Sequence, residues 1–250
     1  MSTLEMSTDV HERPYFPAAD AALHDNGVRT ESYRRDDTEV RISHLAPGAV
    51  FDGESSAEAR VGMVVRGELS VTVGDVTKPM KAEYDVFVAP PGVSFSVTNP
   101  SPYETVLLEI KRNKPGENYP APGGYFLEPL ESRKFVGMDV TFFLADWIEL
   151  MIADIPAGGE MPYHKHSHEQ IGTCLEGRYE MNVEGSTHEL LFGGTYFCAS
   201  QEGHGAANPN TALARSLNIF IPPRYHRVPK QSAEQGADQG AEQETEQGAG

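Results

Sequence analysis

Residues 61–74 read VGMVVRGELSVTVG. The run is rich in Val, alternates apolar with polar positions, and ends in a turn that contains glycine. Side chains of a strand point to opposite faces in turn, so this pattern writes a strand with one apolar face. The same framework returns 110 residues later, with Gly62 as Gly172, Gly67 as Gly177 and Val73 as Val183.

Outward from that stretch the offset persists. Tyr15 and Phe16 recur as Tyr125 and Phe126, and Gly27 recurs as Gly137. Asn99 answers Asn208 and Glu39 answers Glu149 within a residue or two of the same spacing, and Ile110 in LLEIKR answers Ile221 in NIFIPPR. A spacing held across most of the chain marks a duplicated unit. The 250 residues therefore read as two homologous domains, 13–118 and 119–231, with a tail over 232–250. Further short runs bounded by Gly, Pro or Asn read as strands: DVFVAP (85–90), DWIELMIADIP (146–156), GRYEMNVEG (177–185), GTYFCAS (194–200) and LNIFIPP (217–223). The expected fold is all-β, each copy a small double-sheet jelly-roll barrel, an arrangement that leaves few open strand edges. Only residues 21–36 leave room for a helical turn.

Composition excludes partners more than it assigns chemistry. Lys and Arg number 20 against 37 Asp and Glu, a net charge of -17, which repels phosphate backbones and anionic membrane surfaces alike. No apolar run approaches the roughly 20 residues of a membrane span, and Met1 to His11 lack the basic and apolar regions of a signal peptide. Cys174 and Cys198 are too few for a disulfide framework, so a reducing cytoplasm is the expected setting. The tail, SAEQGADQGAEQETEQGAG, carries five acids and no base, a composition expected to be disordered.

The densest cluster of chemistry-bearing residues is GEMPYHKHSHEQIGTCLEG, from Gly159 to Gly177. His164 and His166 are two apart, so on a strand both rings point to one side, where neutral imidazoles chelate a divalent transition metal. Gln170 offers an amide oxygen, with His168 and Glu169 as rivals for that position, and His204 in QEGHGAAN is placed to arrive from a later strand. His11, His24, His44, His188 and His226 need no ligand role.

The spacing H-x-H-x3-Q-x6-G resembles the first cupin motif, with Gln170 where many cupins carry Glu. From Tyr15 to Arg227 the chain is similar to the bicupin dihydro-4-hydroxyphenylpyruvate isomerases of bacilysin biosynthesis. The stretches that carry the likeness are VGMVVRGELSVTVGDVTKPM, VTFFLADWIELMIADIPAGGEMP, HKHSHEQIGTCLEGRYEMNVEG, TYFCASQEGHGAAN and NIFIPPRY. The resemblance implies two cupin barrels and a metal in each, held by the two His of H-x-H, a Gln and a later His. That set carries over to His164, His166, Gln170 and His204. It fails in the first copy, where the offset places Glu54, Ser56 and Arg60 and, within a residue of the same spacing, Phe95 falls opposite His204. One metal is therefore expected, in the second barrel, drawn from Fe, Co, Mn, Ni or Zn, and no organic cofactor.

The reaction so implied follows a prephenate decarboxylase, the pathway neighbour, and shifts the diene of its product from the ring into conjugation with the 2-oxo acid. A 2-oxo acid suits such a site, because its carboxylate and ketone oxygens meet a cation that stabilises the dienolate. Tyr163, Glu160 and Tyr225 are the candidates for proton transfer, Arg224 for the substrate carboxylate, and His168 for the cavity rim. Two other classes compete: a cupin dioxygenase using Fe(II) and O2, and a non-catalytic bicupin that binds a small molecule.

Overall fold

The computed structural model describes residues 14–53, 57–82, 85–113 and 124–224. Every regular element among them is a strand, and no helix is long and apolar enough to cross a membrane. In the first half these are β1 (Asp20–Leu23), β2 (Val28–Arg35), β3 (Thr38–Leu45), β4 (Val50–Gly53), β5 (Ala59–Arg66), β6 (Glu68–Val73), β7 (Val76–Lys81), β8 (Val86–Ala89), β9 (Phe95–Thr98) and β10 (Thr105–Arg112). In the second half they are β11 (Phe126–Leu127), β12 (Glu131–Phe135), β13 (Met138–Leu144), β14 (Glu149–Ile155), β15 (Glu160–His164), β16 (Glu169–Glu176), β17 (Arg178–Val183), β18 (Ser186–Leu191), β19 (Thr195–Cys198), β20 (His204–Ala207) and β21 (Ala214–Ile221).

Each half folds as a large sheet facing a four-stranded one. The large sheets run β1-β2-β3-β10-β5-β8-β11 and β12-β13-β14-β21-β16-β19; the small ones run β4-β9-β6-β7 and β15-β20-β17-β18. The stretch 61–74 supplies strands to both sheets of its barrel. Gly67, at φ 78°, sits between β5 and β6 in a left-handed conformation that glycine adopts without strain, as does Gly177 at 66°.

Burial explains which sheets are large. β10 and β21 are buried along almost their whole length, whereas β6 and β17 alternate inward and outward. The small sheets keep one face in water. The large sheets cover a barrel interior with one face and the other barrel with the opposite face. A shared core forms between the barrels, where Val40, Ile42 and Ile110 join Leu150, Ile171 and Ile219. Burying aliphatic side chains contributes roughly 1.5–3 kcal/mol each, so the two barrels stabilise each other.

The repeated residues do repeated work. A Cβ on Gly62 would meet the Phe87 ring at 2.3 Å, and one on Gly172 would meet the Tyr196 ring at 2.1 Å, so each glycine makes room for an aromatic inside its barrel. Asn99 donates to the carbonyls of Leu45, Ala46 and Tyr103; Asn208 donates to those of Ile155, Pro156 and Ala212.

Three sequence expectations are corrected by strand pairing. Residues 28–35 form β2 with no helical turn, because inward Val28, Thr30 and Ser32 alternate with outward Arg29 and Glu31. Ile110 lies beside Val61 as Ile219 lies beside Ile171, so its counterpart is Ile219, not Ile221. Gly53 faces Phe95 as His164 faces His204, because a bulge between Met161 and His164 adds a residue to β15; the counterpart of His164 is thus Gly53, not Glu54.

The arms before each barrel cross over. Tyr15 and Phe16 pack on the core of the second barrel, where the Phe197 N–H donates to the Tyr15 carbonyl at 2.9 Å. Tyr125 and Phe126 pack on the first, where the Val88 N–H donates to the Tyr125 carbonyl at 2.7 Å and β11 pairs with β8. The expected boundaries at 13 and 119 lie outside the described residues, and packing hands each arm to the other barrel. Glu54, Ser56, Tyr225 and the acidic tail lie outside the described residues.

Candidate metal centre

The second barrel brings four of the expected residues to one point. β15 and β20 pair antiparallel with His164 directly opposite His204. The turn after β15 carries His166, and Gln170 is the second residue of β16. One nitrogen from each of His164, His166 and His204 lies within 4.8 Å of the others. The Gln170 Oε1 stands 2.9 Å from His166 Nε2 and 3.1 Å from His204 Nε2.

The surrounding hydrogen bonds decide what these atoms offer. Each imidazole Nδ1 faces a backbone carbonyl: Pro162 at 2.8 Å from His164, His168 at 3.0 Å from His166, and Glu202 at 3.0 Å from His204. A carbonyl only accepts, so the proton of each neutral ring sits on Nδ1 and the Nε2 lone pair is left for a ligand. The Gln170 amide nitrogen donates to the Tyr196 hydroxyl at 2.6 Å and to Asn218 Oδ1 at 3.1 Å, which turns the amide oxygen toward the histidines. Tyr196 donates to the same Asn218 oxygen, and Asn218 donates to the Ser216 hydroxyl. Four acceptors therefore converge with no donor between them.

Lone pairs this close repel unless something positive lies among them. A proton is disfavoured: burial pushes the His166 imidazole below its ordinary pKa, and burial pushes His204 down to about 4, with His164 and His166 adding to the shift. Three imidazole nitrogens and one neutral amide oxygen are the donor set of a divalent first-row cation, so these residues fit one.

The centre opens on a cavity of about 270 Å³, lined at its apolar end by Phe135, Met138, Met151, Tyr179 and Met181. The Tyr179 hydroxyl is buried and has no partner among the described residues, and the same holds for His168 Nδ1. His168 stands on the cavity wall. So does Arg224, whose guanidinium lies 3.4 Å over the Phe220 ring. Its Nε and one Nη donate to Glu149 Oε1, at 3.0 and 2.6 Å, and its backbone N–H donates to Oε2 of the same carboxylate. Glu160 and Tyr163 do not join them; both line a shallow groove on the outer face of β15. Tyr225 lies outside the described residues.

Sequence reasoning missed Tyr196, Asn218 and Glu149, which orient the site without touching its centre. Asn218 left a signal, a lone amide in the apolar run LNIFIPP, and Tyr196 differed from its repeat partner Phe87 by one hydroxyl.

The first barrel places other chemistry at the same points. Pairing puts Arg60 where Gln170 stands and Glu109 where Asn218 stands. Arg60 donates to Glu109 at 3.0 Å and its guanidinium lies 4.1 Å over the ring of Phe95, the residue opposite His204 in the repeat. Its interior cation is its own side chain.

Comparison with known proteins agrees with this arrangement. The Cupin domain family matches residues 151–220, which hold the whole centre. The solved structure of an oxalate decarboxylase from Lactobacillus farciminis, determined as a formate complex, shares the fold: TM-score 0.70, 17% identity, covering 85% of this chain and 86% of that one. The structure of AerE from Microcystis aeruginosa superposes with TM-score 0.76 at 26% identity, over 83% of this chain and 98% of the other. H2HPP isomerase of Bacillus subtilis is 46% identical over 222 residues, 88% of this chain and 94% of that protein. With two barrels of this fold and that degree of identity along nearly its whole length, the chain belongs to the H2HPP isomerase family of cupin proteins.

Proposed function

We propose that the chain is a metal-dependent allylic isomerase, which moves the diene of a dihydro-4-hydroxyphenylpyruvate out of the ring and into conjugation with its 2-oxo acid. The observation that carries this reading is the convergence of four acceptors at the end of an apolar cavity, in a chain 46% identical to an H2HPP isomerase. His164, His166, Gln170 and His204 would hold one divalent cation, Fe, Co, Mn, Ni or Zn, which imidazole and amide oxygen separate only weakly. When bound, such a cation supplies Lewis acidity toward a ketone oxygen.

The chain's own residues do the rest. The Met and Phe side chains of the cavity exclude water around a six-membered ring. Arg224, held in place by Glu149, presents a positive group for the substrate carboxylate. His168 has an imidazole on the wall with a nitrogen unpartnered among the described residues and is the group assigned to receive and return the proton. Glu160 and Tyr163 are not given this role, since both face the outer groove. The proton shift needs no oxidant and no organic cofactor. The substrate would be supplied by decarboxylation of prephenate, in the biosynthesis of a bacilysin-like amino acid. Cys174 and Cys198 are buried free thiols, consistent with a reducing cytoplasm.

The test is incubation of metal-loaded protein with the decarboxylated prephenate product under argon. A conjugated-product absorbance that requires metal and disappears in His164→Ala supports the isomerase. Absence of any metal-dependent change in absorbance would sink it, and turnover only in the presence of O2 would favour a dioxygenase.

A further inference from the structure

The turn over residues 198–203 is the point through which the metal centre meets the rest of the molecule. The Gln201 N–H donates to the His166 carbonyl at 2.8 Å, and the Glu202 carbonyl accepts from His204 Nδ1 at 3.0 Å. Cys198 pairs across the sheet with Gln170, and its sulfur lies 3.2 Å from His204 Nδ1. One short segment thus touches three of the four candidate ligands. It is not relaxed: Gln201 sits at φ 69°, a left-handed conformation that a residue with a side chain keeps only when its surroundings enforce it.

Those surroundings belong in part to the first barrel. β19, which leads into the turn, is the outer strand of its sheet, so the backbone groups of Phe197 point away from the sheet. Arg35, at the end of β2, donates to the Phe197 carbonyl at 2.8 Å and reaches the Glu202 carboxylate at 3.7 Å. The arm carbonyl of Tyr15 takes the Phe197 N–H. The Glu202 carboxylate is also fixed by the Ala199 N–H at 2.6 Å, so the guanidinium and the turn share one anchor. A second arginine of the first barrel, Arg112 on β10, donates at 3.0 Å to Glu169, the residue before Gln170, and stands 3.5 Å from Asp37.

We propose that Arg35 and Arg112 are positioning residues for the metal centre of the other barrel. Arg35 fixes the 198–203 turn that touches His166, Gln170 and His204, and Arg112 anchors Glu169 beside Gln170. The barrel that keeps its own cation as a side chain thereby serves as the mould in which its twin holds an exchangeable one. This rests on the metal-centre reading above.

The test measures Co2+ affinity by chelator competition, and the visible absorption of the bound Co2+, in the full chain. Arg35→Ala and Arg112→Ala are each expected to weaken Co2+ binding by about tenfold, the scale on which outer partners act on metal ligands, and to shift the absorption. Arg112→Lys keeps the charge beside Glu169 and should recover most of the affinity. Arg29→Ala breaks an exposed ion pair with Glu31 on the same strand as Arg35 and should change neither readout. If Arg35→Ala fails to fold, Glu202→Gln removes the charge at the far end of the contact and is expected to weaken binding several-fold. Folded variants with wild-type Co2+ affinity and spectrum would overturn the proposal while leaving the site intact. A wild-type chain that takes up no Co2+ would overturn both.

Discussion

The two barrels share a backbone and differ at inward positions, four of them grouped around one point. Phe87, Arg60, Glu109 and Phe95 in the first correspond to Tyr196, Gln170, Asn218 and His204 in the second. Each set is internally consistent. In the first, a guanidinium lies between a carboxylate and an aromatic face, and both favour a fixed positive charge. In the second, a hydroxyl and an amide turn Gln170 so that its oxygen meets two imidazoles, which creates a demand for positive charge that no side chain among the described residues meets. On the function proposed above, the side chain at the position of Gln170, donor or acceptor, separates a barrel whose cation is built in from one whose cation is bound.

That comparison can be broken most directly at His204. Replacing it with alanine removes one of four donors and should abolish metal-dependent turnover, with Co2+ affinity falling by about 100-fold or more. Metal analysis of the wild type should give about one equivalent per chain; two would refute the assignment of a side-chain cation to the first barrel. The next largest effect belongs to Arg60→Ala. It strands the Glu109 carboxylate, which is fully buried, and should cost about 3–5 kcal/mol in urea unfolding without altering metal content. Arg60→Gln combined with Glu109→Asn copies the second barrel's pair and should recover much of that loss. A double variant as unstable as Arg60→Ala would show that the two sets are not interchangeable.

Tyr196→Phe makes the second barrel resemble the first by a single oxygen. With one partner of the Gln170 amide gone, Co2+ affinity should fall about tenfold, equivalent to about 1.4 kcal/mol, while folding is largely retained. A difference read through pH concerns Glu39, the counterpart of Glu149. Burial alone would raise its pKa, but Lys111, Arg41 and Ser32 outweigh burial and hold it at about 2. Because the folded pKa lies below the unfolded value near 4.5, its stabilising contribution is complete above that pH and is lost as pH falls toward 2. Acid unfolding of Glu39→Gln should therefore depend less steeply on pH between about 4.5 and 2 than that of the wild type.

The fold was legible because duplication writes every constraint twice. Gly62 and Gly172 are hard to interpret singly, yet together they mark the same close approach of an aromatic ring. The centre was legible in the spacing of His164, His166 and Gln170, although His166 stands in the turn between β15 and β16 and not on a strand as expected. It was not legible where function depends on pairing between distant strands. Nothing near Arg224 in the chain announces Glu149, because the two meet only when β21 lies beside β14. Tyr163 neighbours a ligand on the strand and points to the opposite side, and the bulge after Met161 turns Glu160 outward as well. Residues 28–35 lacked a strand signal because Thr30 and Ser32, not aliphatic side chains, occupy the inward positions.

The crossed arms set an order of events. A ribosome releases Tyr15 and Phe16 long before it makes Phe197, the residue whose N–H the arm will receive. The earliest described segment of the chain is thus among the last to be seated, and the first barrel leaves the ribosome with the edge of β8 still waiting for Phe126 and Leu127. Neither half is finished by its own sequence, so a cut between the repeats would yield two incomplete pieces, each carrying the closing strip of the other.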